Sequence, residues 1–241
     1  MSLLVIQDVS KRYRRGRREY VALDGVSFSV ESGEVVVVFG TRKSGRSTLL
    51  RIAAGLERPD DGEVRFQGAE LLPSDEVIGR RLAYCRTAFS GLEGDVVLDH
   101  VAAGLLAQEM TAVQAARVAD RALARAGASE CARMRPYELE PAECVRVSIA
   151  RALASSPALL VIDDPTASVG PLQSDPILRL LRSLADEGVA VLMSTSDATC
   201  LSGADRALSL DRGELRGEPD PHEAEVVPFR VVGSRSEAGA G

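Results

Sequence analysis

"EVVVVFGTRKSGRSTLLRIAAGL", residues 34–56, decides the fold. An unbroken β-branched run, without polar alternation, is expected of a strand covered on both faces. It stops at Gly40. From Ser44 onward Leu49, Leu50 and Ile52 recur at helical spacing, and Gly55 ends the pattern. Strand, glycine-bearing loop and helix in that order are the setting of a phosphate-binding loop, G-x-x-x-x-G-K-[ST]. The backbone amides of such a loop and the helix N-terminus cradle phosphate. Gly40, Gly45, Ser47 and Thr48 fall where the pattern wants them, with Ser44 inside the loop. The lysine position holds Arg46, and a lysine stands three residues early, at Lys43.

Working outward, short apolar runs alternate with helical patterns, the mark of an α/β protein. "LLVIQDVS" and "ALDGVSFSV" read as strands joined by a charged hairpin. "GEVRFQG", "RLAYC", "ALLVID" and "VAVLMST" read as further strands, and "RALSLDRGEL" closes the ordered part. "AECVRVSIARALASS" and "SDPILRLLRSLADEG" read as helices, and the alanine-rich stretch between about 88 and 140 as a helical insertion. The expected organisation is one unit over 1–218, its core about 1–87 and 141–218. Residues 219–241, rich in Glu, Pro, Gly and Ser, form a tail expected to be mobile.

Composition narrows the function. The chain has 241 residues and a net charge of −6, which argues against nucleic acid as the main partner. The basic run "KRYRRGRR" (11–18) reads as a solvated hairpin loop. Four dispersed cysteines without a CxxC pair fit reduced thiols in the cytosol better than a disulfide framework or zinc site. Two histidines make a histidine-built metal centre a poor reading. The sequence offers no long apolar run of the kind that a signal peptide or a membrane span needs, so a membrane role would come through a partner.

The run "RVSIARALASSPALLVIDDPTA" (146–167) resembles the stretch of ATP-binding-cassette (ABC) proteins that joins the signature helix to the Walker B strand. "YVALDGVSFSVESGEVVVVFG" is similar to the segment leading into their P-loop, and the resemblance extends over about residues 3 to 215. "YVALDGVSFSV" and "ADRALSLDRGEL" look closest to cassettes of the macrolide-export and lipoprotein-release type. The resemblance implies a P-loop NTPase (RecA-like) core with an antiparallel β-subdomain and an inserted α-helical subdomain. It also implies ATP and Mg²⁺ as cofactors, a transmembrane permease and a second cassette as partners, and a place on the cytoplasmic face of the membrane.

Position by position, this chain departs from that pattern. Lys43 stands where the family has a further glycine; if the backbone there needs positive φ, a side chain costs about 1–2 kcal/mol. Arg46 exchanges a compact ammonium for a planar fork, which is not conservative. Tyr13 corresponds to the aromatic that stacks on adenine. Ser47 and Asp163 correspond to the Mg²⁺ ligands, and Thr87 replaces the glutamine that senses metal and permease. Asp164 stands for the catalytic glutamate, shorter by one methylene, Ser196 for the switch histidine, and Gly170 for the aspartate that crosses the dimer. The signature L-S-G-G-Q reads Leu139, Glu140, Pro141, Ala142, Glu143. Pro141 removes an amide donor and Glu140 sets a carboxylate where phosphate should dock, though the same residues make a good helix start.

A head-to-tail homodimer would therefore have two altered sites, and pairing with an intact cassette would leave neither site complete. The resulting expectation is weak nucleotide binding with little or no hydrolysis. Its rivals are a competent transporter ATPase with tolerated substitutions and a nucleotide-independent structural or regulatory module.

Overall fold

The computed structural model describes residues 2–16, 18–73, 81–86, 89 and 94–216. The charged hairpin consists of two long antiparallel strands, β1 (Leu4–Arg15) and β2 (Arg18–Val30), registered so that Tyr13 lies opposite Tyr20 and Arg15 opposite Arg18. The valine run is β3 (Val35–Phe39), followed by helix α1 (Arg46–Ala53). β4 (Asp61–Phe66) and β5 (Ala69–Glu70) then complete a four-stranded antiparallel sheet in the order β2-β1-β4-β5.

β6 (Leu82–Cys85) returns the chain to a second sheet. After it come α2 (Val97–Leu106) and α3 (Ala112–Arg125), with short 3-10 turns at Ser129–Arg133 and Pro136–Glu138. Thr111 and Gln114 cap α3 reciprocally, and its Ala115, Ala119, Ala122 and Leu123 are buried. These recur at i, i+4, i+7 and i+8, a single helical stripe, which is why an alanine-rich segment can pack here. Then follow α4 (Pro141–Leu153), β7 (Leu159–Asp163), α5 (Pro171–Asp186) and β8 (Ala190–Thr195). A 3-10 turn at Ala198–Gly203 leads into β9 (Arg206–Asp211) and β10 (Glu214–Leu215).

The second sheet runs β10-β9-β3-β8-β7-β6, with β3 at its interior, parallel to both β8 and β9. The four valines explain themselves through the pleat. Val35 and Val37 pack with the core that holds α4, α5 and the α2/α3 segment, whereas Val36 and Val38 pack with the core that holds α1 and the antiparallel sheet. Successive side chains point to opposite faces, so a strand between two apolar layers must be apolar at every position.

The α/β expectation and the two sheets agree. Two details differ. α5 begins at Pro171, three residues ahead of the expected stretch, because proline at a first helical position sacrifices no hydrogen bond. β5 and the 198–203 turn lack apolar periodicity long enough to register in sequence. Thr87 and the tail at 219–241 lie outside the described residues. All four cysteines are free, and burial pushes the Cys85 thiol up to about 12. Among the described residues no helix is long and apolar enough to cross a membrane.

Candidate functional site

The loop between β3 and α1 is tied down by backbone crowding. A side chain at Gly40 would meet the Leu210 carbonyl oxygen at 2.4 Å and Ser44 Oγ at 2.6 Å. At Gly45, where φ is +108°, it would meet the Ala22 carbonyl oxygen at 2.2 Å. Both glycines are therefore steric requirements of the loop. Lys43 takes φ of +69°, the left-handed conformation that glycine enters freely and other residues enter at about 1–2 kcal/mol. The strain expected of a lysine at that position is present.

A cleft of about 660 Å³ opens over this loop, within the range of small-molecule sites. Its walls are Tyr20, Val21 and Ala22 of β2, the loop residues from Thr41 to Thr48 except Arg42, and Arg212. Its charged walls are all cationic: Lys43, Arg46 and Arg212. Among the described residues the buried Ser44 Oγ has no hydrogen-bond partner, and Arg46 Nη1 has none within hydrogen-bond distance, reaching only a longer ion pair with Asp164. A buried orphan donor is costly. Beside a glycine cradle at a helix N-terminus, the Ser44 hydroxyl and the three cations fit an anionic, phosphate-like group.

Arg46 does more than line the cleft. Its Nη1 lies 3.6 Å from Asp164 Oδ2, with the guanidinium 11% and the carboxylate 25% exposed. Asp164 follows β7 with φ of +47°, a second strained residue. Burial pushes its carboxyl above the ordinary range, Arg46 pulls it part of the way down, and neighbouring Asp163 pushes it up again. Ser194, wholly buried in β8, joins the two aspartates: its hydroxyl donates to Asp163 Oδ1 at 2.5 Å and accepts from the Asp164 amide at 3.1 Å. Ser47, exposed, and Asp163 supply hard oxygen donors of the kind Mg²⁺ takes alongside phosphate.

Tyr13 is placed differently from an open platform. Its hydroxyl donates to Glu57 Oε1 at 2.5 Å and accepts from Arg51 Nη2 at 3.2 Å. Thr48 turns its hydroxyl toward the same group, 3.3 Å from Arg51 Nη2. The Tyr13 ring carries Tyr20 stacked on it, with centroids 5.3 Å apart and planes at 25°, and the Lys11 ammonium lies 5.7 Å from its centroid.

The signature residues sit at the start of α4. Glu140 is the N-cap, Pro141 the first helical residue, and the Glu143 carboxylate accepts the Glu140 amide at 2.8 Å. The helix start thus carries its own anion. Leu139 is half-buried and Ala142 buried. Among the described residues no hydrogen bond or ion pair connects Leu139–Glu143 to the loop at 40–48. Ser196 is exposed just past β8, and Gly170 caps α5 at φ −72° with open space where a Cβ would be.

Among the cleft and site residues that escaped the sequence reading are Tyr20, Val21, Ala22, Thr41, Arg212 and Ser194. Tyr20 had a readable signal, because a hairpin that pairs Tyr13 must set a residue of the following strand against it, and counting from the tip reaches Tyr20. Arg212 and Ser194 reach the site only through tertiary packing.

The ABC transporter family model matches residues 23–167. Over 252 aligned positions the chain is 32% identical to the phosphonates import ATP-binding protein PhnC of Thiobacillus denitrificans, covering 98% of the chain and 94% of that protein. It is 32% identical to the lipoprotein-releasing system ATP-binding protein LolD of Chromohalobacter salexigens, covering 88% and 92%. It is 34% identical to the cell division ATP-binding protein FtsE of Escherichia coli, covering 89% and 98%. The dimeric cassette MJ0796, solved in a post-hydrolysis state bound to ADP and Pi, superposes with a TM-score of 0.82 at 27% identity, covering 90% of this chain and 98% of that one. Relatives with three different printed roles match about equally, so what they share with this chain is the cassette scaffold. With a family match across the P-loop and Walker B strand, and relatives aligned along nearly its whole length, this chain belongs to the ABC transporter family.

Proposed function

We propose that this chain is the ATP-binding subunit of a membrane transporter whose site holds nucleotide and turns it over slowly or not at all. The observation that carries this reading is the Arg46–Asp164 pair. A guanidinium at the P-loop lysine position and a carboxylate at the catalytic position face each other at 3.6 Å. Those groups would otherwise serve the γ-phosphate and the attacking water.

In this reading the loop amides, the Ser44 hydroxyl and Arg46 hold the phosphates. Ser47 and Asp163 would hold Mg²⁺, which when bound neutralises phosphate charge. Asp164 is a poor orienter of water: it is one methylene shorter than glutamate, anchored by its amide to Ser194 and turned toward Arg46. Misplacement of about 1 Å at a reacting centre can cost about 10²-fold in rate. Ser196 has no imidazole with which to reach phosphate. Glu140 and Glu143 oppose the docking of a triphosphate against α4 by like charge.

Like other cassettes, the subunit would pair with a second cassette and with a transmembrane permease on the cytoplasmic face of the membrane. The solved dimer of MJ0796 supports the cassette pair, and the printed roles of PhnC in phosphonates import and of LolD in a lipoprotein-releasing system support work with a membrane system.

Titrating Mg-ATP into the purified chain while recording melting temperature and phosphate release tests the reading. A rise in melting temperature with negligible phosphate release is expected. Turnover on the order of 1 s⁻¹ or faster, an ordinary enzyme rate, overturns it. Absence of any nucleotide-dependent shift points instead to a nucleotide-independent module. Arg46→Lys alone should not restore turnover, because Asp164, Ser196 and the signature stay altered.

A further inference from the structure

β8 is buried at all six positions, yet it ends in two hydroxyl residues, Ser194 and Thr195. The first has its reason in the pleat. Leu192 lies between Val36 of β3 and Val161 of β7, and all three pack with the core that holds α1. Two residues on, the same face carries Val38, Ser194 and Asp163 side by side. The row beneath α1 thus turns polar at the strand ends. A buried hydroxyl is costly without partners, and Ser194 has two. It donates to Asp163 Oδ1 and accepts from the amide of Asp164, the residue held at φ of +47°.

We infer that Ser194 is a positioning residue for Asp163: by occupying Oδ1 it fixes the carboxylate so that Oδ2 is the oxygen offered to the Mg²⁺ of a bound nucleotide. This rests on the nucleotide-binding reading above and adds to it the residue that sets the carboxylate ligand.

The hydrogen bond has one direction. The Asp164 amide can only donate, so the Ser194 proton is left for Asp163 Oδ1. Among the described residues Ser194 is the group that hydrogen-bonds the Asp163 side chain, so the rotation of the carboxylate is set from that side. Ser194 is itself held in place, wholly buried in a strand paired with β3 on one side and β7 on the other. Mg²⁺ demands near-ideal octahedral geometry and takes one or two carboxylates beside phosphate, so a carboxylate free to swivel serves it poorly. Without the hydroxyl, Oδ1 and the Asp164 amide both lose their partner. Losing a group that orients a metal ligand typically costs about 10–100-fold in metal affinity.

Calorimetric titration of ATP, once with Mg²⁺ and once with EDTA, into wild type, Ser194→Ala, Ser194→Thr, Asp163→Asn and the Ser194→Ala/Asp163→Asn double variant tests the assignment. The readout is the gain in ATP affinity that Mg²⁺ brings. Ser194→Ala should reduce that gain about tenfold or more and leave affinity in EDTA within about twofold. Ser194→Thr keeps a hydroxyl and should retain most of the gain, and on top of Asp163→Asn the loss of Ser194 should change nothing further. An unchanged gain in Ser194→Ala, or equal losses with and without metal, overturns the positioning role while the nucleotide reading stands. So does a loss in Ser194→Thr as large as in Ser194→Ala, a further loss in the double variant, or a wild type that binds ATP with no gain from Mg²⁺. Failure of the wild type to bind ATP overturns both.

Discussion

Replacing Arg46 by methionine removes the cation and keeps most of the stem, so it isolates the contact with Asp164. At about 4 Å and an effective dielectric of about 20, two unit charges attract by about 4 kcal/mol. The pair here is at 3.6 Å, but a quarter of the carboxylate is exposed, and solvent screening reduces the loss to about 2 kcal/mol. For a chain of this size that is about 4–8 °C in melting temperature. The loss should depend on pH, with a sign that follows from Asp164. Burial raises its carboxyl and Arg46 partly lowers it again, so without Arg46 the folded-state value climbs further. A carboxyl raised on folding penalises the native state. The penalty is absent below the unfolded value of about 3.9, grows as pH rises toward the folded value, and is constant above it. The deficit of Arg46→Met relative to wild type should thus be full at pH 8 and shrink toward pH 5. Thermal melts of wild type, Arg46→Met, Asp164→Asn and the double variant at both pH values measure it. At pH 8 the double variant should be more stable than the sum of the single losses by about 2 kcal/mol. Additive losses, or a deficit that does not change between pH 5 and pH 8, would refute the pairing argument.

Two further outcomes follow from the helix starts. Glu143→Ala removes the carboxylate that accepts the Glu140 amide and should lower stability by about 1 kcal/mol, or roughly 2–4 °C in a thermal melt, with Glu143→Gln losing less. Gly170→Asp should be tolerated or slightly stabilising, by a few tenths of a kcal/mol in a denaturant melt, because φ of −72° does not require glycine, a Cβ there meets open space, and aspartate is a favoured N-cap.

The fold was legible wherever one residue type had one physical reason to be present. Val35 to Val38 had to be apolar because both faces of β3 are covered, and Gly40 and Gly45 had to be small because neighbouring backbone leaves no room. The strain at Lys43 could likewise be foreseen, since it asks only what one residue does at one backbone position. Pairings were harder to see. That Arg46 meets Asp164, and that Ser194 bridges Asp163 and Asp164, depends on β7 and β8 lying side by side with the start of α1 above their ends.

Tyr13 marks where that boundary costs the most. It fell in a run expected to be a hairpin loop but lies in β1, and its surroundings are set by Tyr20, Glu57 and Arg51, residues on β2 and at the far side of α1. The same distinction bears on the slow turnover proposed above. Read singly, Arg46 and Asp164 are two unrelated losses, one side chain too long and the other too short. Read together, the longer cation reaches the retracted carboxylate, so each neutralises in the other the charge that catalysis would have turned toward substrate. Repairing one alone leaves a lysine beside a carboxylate that is still too short, or a glutamate that must share its space with a guanidinium. On the proposed reading, faster turnover should therefore require exchanging the two as a pair, with Ser196 and the signature still setting its ceiling.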